Sequence, residues 1–148
     1  MKVRTDKVAR IAAALTTAVA LSAPAWAHHA FQAEFDGNVP IMLQGKVTKV
    51  EWINPHTWVH MTVVTNGTPQ EWMVEAGTPN TLLREGLTRD SLKAGEEIIV
   101  RGYRAKDARC RPACKANGRD VTFTDGRKVF MGSSGTGAPK DGADPNEK

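Results

Sequence analysis

The chain is poor in the residues that announce a function. It has two cysteines, one tyrosine and four histidines in 148 residues, and none of the motifs H-E-x-x-H, G-x-S-x-G or a glycine-rich phosphate loop. No catalytic residues stand out, and the chain does not read as an enzyme. The cysteines, Cys110 and Cys114, are spaced C-x3-C. No second pair or neighbouring histidine suits zinc, and no βαβ pattern surrounds them as in a thioredoxin-like site. An apolar run able to cross a bilayer is also lacking. The stretch at residues 11–21 falls far short of the roughly 18–20 residues a spanning helix needs, so the protein is not expected to be membrane-embedded.

Net charge is scarce as well. The whole chain is formally +4. Lys2, Arg4, Lys7 and Arg10, set against Asp6, account for +3 of that in the first 27 residues. The remainder is close to neutral and gives no electrostatic footprint for nucleic acid. The local run Arg101, Arg104, Lys106, Arg109, Arg111 and Lys115 reads as a solvated face.

What is present begins with an address. Those basic residues, the apolar segment 11–21 and Ala25-Trp26-Ala27 have the layout of a secretory signal cleaved between Ala27 and His28. The expected organisation is a signal peptide at 1–27, an N-terminal arm at 28–38, one domain at 39–131 and a disordered tail at 132–148, rich in Gly, Pro and charge. A periplasmic or secreted location follows. In such an oxidising compartment Cys110 and Cys114 are expected to form a disulfide.

The domain reads as β. Residues 41–52 alternate, with a change of parity after Val47 that predicts a β-bulge. Asn54-Pro55 ends that strand, since proline cannot donate to a ladder. Residues 56–65 give a second strand with Val59, Met61 and Val63 inward, and Asn66-Gly67 is a hairpin turn into a third at 70–76. Thr78 as N-cap, Pro79 at the first helical position and Gly86 past the end predict a short helix whose Leu82 and Leu83 plug one mouth of the fold. A fourth strand at 97–104, an irregular loop at 107–117 and a final hairpin around Asp125-Gly126 complete the chain. The fold class is all-β with one short helix, in the order β-β-β-α-β-β of a small OB-like barrel with five to six strands.

Two sets of residues are candidates for binding. Cleavage would leave His28 with a free α-amino nitrogen and an imidazole, with His29 beside it, and nitrogen donors of this kind favour Cu(II). His56 and Glu75 are the candidates to complete that metal set. His56 and His60 lie roughly 13 Å apart along a regular strand, too far to share one ion. The alternative is a metal-free surface for a ligand or a protein, built from Trp52, Asn54, Trp58, His60 and Trp72. Stacking on aromatic platforms is how many OB barrels hold bases or sugars. Third, the protein could be a subunit or accessory of a periplasmic redox enzyme.

His28-His29-Ala30-Phe31, Gly45-Lys46-Val47, Trp52-Ile53-Asn54-Pro55-His56, Trp72 with Glu75, the segment from Pro79 to Arg84 and Leu92-Lys93-Ala94-Gly95-Glu96 together resemble a family of small exported proteobacterial proteins, a domain of unknown function. The resemblance covers about residues 27–132 and implies a signal peptide and a small β-barrel. It supplies no activity, and the loop from Cys110 to Cys114 departs from its pattern.

Overall fold

A computed structural model of the chain describes residues 31–132. The leader, its cleavage point, His28, His29 and residues 133–148 of the tail lie outside the described residues. The strands are β1 (Phe35–Glu51), β2 (Trp58–Thr65), β3 (Thr68–Glu75), β4 (Glu97–Ala105), β5 (Cys114–Phe123) and β6 (Lys128–Phe130), with the short helix α1 (Pro79–Arg84) between β3 and β4. They form one sheet in the order β3-β2-β1-β4-β5-β6, antiparallel at each step. A parallel pairing of β3 with β5 closes the sheet into a ring. Among the described residues, no helix is long and apolar enough to cross a membrane.

β1 begins at Phe35, before the alternation at 41–52, because its first part pairs with β4 while its last part pairs with β2. Gly45 stands where the two pairings overlap, opposite Val63 on one side and Ile98 on the other. A side chain there would put its Cβ 2.2 Å from the Thr62 carbonyl oxygen, so this approach needs glycine. The predicted bulge is present: the register shifts between Val47 and Lys49. The extra residue lets both Val47 and Val50 reach the core, and it bends the strand around the ring.

Asn66 and Gly67 both have positive φ, 51° and 77°, as the tight turn between β2 and β3 requires. Val59, Met61 and Val63 face inward as expected and pack with Val74, Val100 and Val121. On α1, the Thr78 hydroxyl accepts a hydrogen bond from the Thr81 amide at 3.1 Å, which satisfies one orphan donor of the first turn. Leu82, Leu87 and Leu92 are buried, whereas Leu83 is 52% exposed and does not plug the ring. Successive side chains of a helix point about 100° apart, so a helix with one face on the core buries Leu82 and leaves Leu83 outside.

The segment expected to be a loop at 107–117 is shorter. β5 starts at Cys114 and runs beside β3, with Trp72 opposite Cys114 and Glu75 opposite Asn117. Apart from the exposed Lys115 its residues are covered on both faces, so Cys-Lys-Ala-Asn-Gly-Arg-Asp carries no apolar alternation for a reader to detect. Cys110 and Cys114 are joined as a disulfide just before this strand. Before β1, Phe31 and Phe35 are buried against Tyr103 and Ala105. The Phe31 and Tyr103 rings meet edge to face at 5.6 Å, which fastens the arm to the outside of the ring.

Candidate functional site

The site grows from the register of four strands. Glu51, Trp58, Glu75 and Asn117 lie side by side across β1, β2, β3 and β5. Two residues along each strand, Lys49, His60, Met73 and Lys115 form the next row on the same face. The row that ends in Asn117 lies nearer the segment joining β1 to β2.

β2 starts at Trp58 rather than at residue 56, so His56 belongs to that connection. The Thr57 amide donates to the Gly77 carbonyl at 3.0 Å, and the Ala76 amide donates to the Thr57 carbonyl at 2.8 Å. These two bonds hold the connection against the end of β3. His56 Nδ1 consequently lies 3.2 Å from Glu75 Oε1. The structure thus brings together two of the four residues in the metal set, nineteen positions apart in sequence.

Glu75 is only 6% exposed, and burial pushes its carboxyl above the usual carboxylate range. Glu34, on the arm, adds to that rise, while His56, Lys115 and Asn117 act against it. Asn117 is 1% exposed, and its Nδ2 lies 3.5 Å from Glu75 Oε1, at the long limit for a hydrogen bond. Asn117 Oδ1 and the buried Thr57 hydroxyl have no hydrogen-bond partner among the described residues. Buried polar oxygens are normally satisfied.

Lys115 Nζ is 2.7 Å from Glu34 Oε1 and 5.4 Å from the centre of the Trp58 ring. His60 has a different carboxylate, Glu51, 3.6 Å from its Nε2, too long for a hydrogen bond. Lys49 lies against the same carboxylate and holds Glu51 below the usual range. His56 and His60 therefore belong to separate pairs on either side of Trp58.

The indoles divide. Trp58 is half-buried beneath Lys115, and Trp52 sits 5.6 Å below the Arg89 guanidinium. Trp72 points inward, opposite Met61, and is buried in the core. The three rings do not form one outer platform. Asn54 is exposed, two residues before His56. Three residues of the basic run have side-chain partners, two of them carboxylates. Arg109 makes paired hydrogen bonds to Asp107, whose carboxyl is lowered to about 2, Lys115 holds Glu34, and Lys106 reaches the Gln32 carbonyl.

Among the described residues, no three His, Cys, Asp or Glu side chains converge closely enough to hold a metal. His56 and Glu75 supply two. Glu34, Lys115, Asn117 and Thr57 were not singled out for this site from sequence, because strand register and the β3–β5 pairing, not local spacing, bring them to Glu75.

Compared with known protein families, residues 16–113 match the family described as "Family of unknown function (DUF6152)". The chain belongs to this family. The DUF6152 match takes in Glu34, His56 and Glu75 and ends one residue before β5, so Lys115 and Asn117 lie beyond it. No curated protein matches the chain.

Proposed function

We propose that the protein is an exported metal-binding accessory of the periplasm, taking Cu(II) through the mature amino terminus, His28 and His29, together with His56 and Glu75. The observation that carries this reading is the His56–Glu75 pair, 3.2 Å apart at the rim of the ring and beside an arm that leads to His28. His56 Nδ1 and Glu75 Oε1 stand at a separation that lets both serve one ion, as a nitrogen and an oxygen donor.

Reach supports the rest of the set. Glu34 is fixed to Lys115 beside the Glu75 carboxyl. Residues 31–34 are helical, and His28 lies three positions before Phe31. At about 3.3–3.6 Å per residue the terminal amine stays within about 11 Å of the Phe31 backbone, on the same arm as Glu34. An amine, imidazoles and a carboxylate form the nitrogen and oxygen set that suits tetragonal Cu(II).

The test is a calorimetric Cu(II) titration at neutral pH of the chain starting at His28, its start verified by mass spectrometry. One added residue before His28, or the pair His28→Ala and His29→Ala, is expected to weaken binding by more than tenfold; His56→Ala should weaken it less. Equal binding in all forms would overturn the terminal site. No binding in any form would move the reading to a metal-free partner surface around Trp58.

A further inference from the structure

The ring is closed by β3 and β5, and the first rung of that closure is Trp72 opposite Cys114. Cys114 is also one end of the disulfide, so a covalent bond sits where the parallel pairing begins. Its two sulfurs differ in access. Cys114 is 2% exposed and belongs to the core, whereas Cys110 is half-buried in a segment, residues 106–112, whose other members are exposed. A reagent from solvent meets Cys110 first.

Three further observations separate this bond from an inert staple. It closes a loop of only five residues, counting both cysteines, and the stabilisation gained by restricting the unfolded chain is smallest for short loops. Cys110 has a φ of 46°, in the left-handed region, which a residue with a Cβ adopts at a cost and keeps only where its surroundings impose it. Opening the bond frees Cys110 from that conformation. Gln70 Nε2 lies 3.9 Å from Cys110 Sγ, a donor in place for the negative charge of a thiolate.

We infer that the Cys110–Cys114 disulfide is a thiol-exchange site that controls the closure of the ring, with Cys110 as the sulfur attacked and a thiol-bearing reductant as the partner. A thiolate of the reductant attacks Cys110 Sγ and forms a mixed disulfide; the bond to Cys114 breaks, and its electron pair leaves on Cys114 Sγ, which takes up a proton. A second thiolate attacks the reductant's sulfur in that mixed disulfide, and Cys110 leaves as a thiolate beside Gln70 and is protonated in turn. The chain gains two electrons and two protons, and the reductant ends as a disulfide.

With the bond open, the tie that seats Cys114 opposite Trp72 is gone. β5 keeps its ladders to β4 and β6, while the pairs between residues 72–75 and 114–117 lose their anchor. Lys115 and Asn117 belong to those pairs, and through them the change reaches Trp58, Glu34 and Glu75. None of this depends on metal binding.

The test uses the full chain as expressed, its start determined by mass spectrometry, without denaturant. It would be incubated in glutathione redox buffers and, separately, with reduced thioredoxin, and its thiols trapped with a maleimide and located by peptide mass. The bond is expected to open in the folded protein, with glutathione carried on Cys110. In Cys114→Ser, whose Cys110 is free, mixed-disulfide formation should run about tenfold or more faster than in Cys110→Ser, whose remaining thiol is buried. Thermal melting checks that both variants fold, and the peptide masses of the parent identify the attacked sulfur if one does not. Hydrogen exchange at residues 72–75 and 114–117 should speed up by about tenfold or more on reduction, with the β1–β4 ladder unchanged.

Opening by glutathione assigns the site to small thiols, and opening by thioredoxin alone assigns it to a protein dithiol. A bond that opens only in denaturant, or glutathione found equally on both cysteines, would overturn exchange at Cys110. Reduction that leaves hydrogen exchange between β3 and β5 unchanged would overturn control of the closure. Global unfolding on reduction would do the same, by making the bond a staple.

Discussion

Glu75 is a carboxyl that folding takes out of water and places beside an imidazole. Its raised pKa, caused first by burial, fixes a sign for the pH dependence of stability. Below the ordinary value of 4.5 it is protonated in the folded and unfolded chains alike, and its contribution is fully present. As pH rises through that value the unfolded chain ionises first, so stability falls until the pH has passed the raised folded value. Glu75→Gln keeps the shape and removes the titration. Urea unfolding from about pH 4 to pH 8 should show the parent losing stability relative to this variant across that window. A constant difference between the two would mean that burial does not control this carboxyl. His56 and Glu75 were legible in the sequence as members of one set. The bonds between Thr57 and the end of β3 that hold them together were not.

At the scale of the element, the helix between β3 and β4 shows how far local signals go. Thr78, Pro79 and Gly86 mark its start and stop, and the structure agrees with all three. The same segment offers two adjacent leucines, and sequence alone assigns both to the core. Only Leu82 is inside. Leu82→Ala is expected to cost about 2–5 kcal/mol, the range for emptying a buried leucine site. Leu83→Ala should stay within about 0.5 kcal/mol of the parent, as an exposed change does. Comparable losses in both variants, measured by chemical denaturation, would contradict the orientation of α1. β5 is the opposite case. A strand covered on both faces and built from small and charged residues has no period of two to read, so its first residues pass for loop. The hairpins on either side were legible because Asn66-Gly67 and Asp125-Gly126 carry their turn geometry in their own backbone preferences.

For the whole molecule, the decisive contact is the closure of the ring. Hairpins join β1 to β2 to β3 and bring β5 to β6, but no local turn brings residues 72–75 to residues 114–117. That parallel pairing forms only once β4 has carried the chain across the sheet, so it is written in no single segment. The order β-β-β-α-β-β was legible; what joins its ends was not. Gly102 is where this closure can be tested. The register between β4 and β5 shifts between Arg101 and Gly102, and the backbones approach so closely that a Cβ on residue 102 would lie 2.0 Å from the Asn117 carbonyl oxygen. The obstacle is backbone, so no rotamer change can relieve it. Gly102→Ala must push β5 away from β4, and Asn117 moves with it, away from Glu75. The expected loss is about 1–3 kcal/mol or more, the usual cost of overpacking, together with weaker Cu(II) binding if the site depends on the closed ring. Unchanged stability would show that β5 has slack at this point. A loss of stability with intact metal binding would separate ring closure from the site and assign binding to the arm and His56 alone.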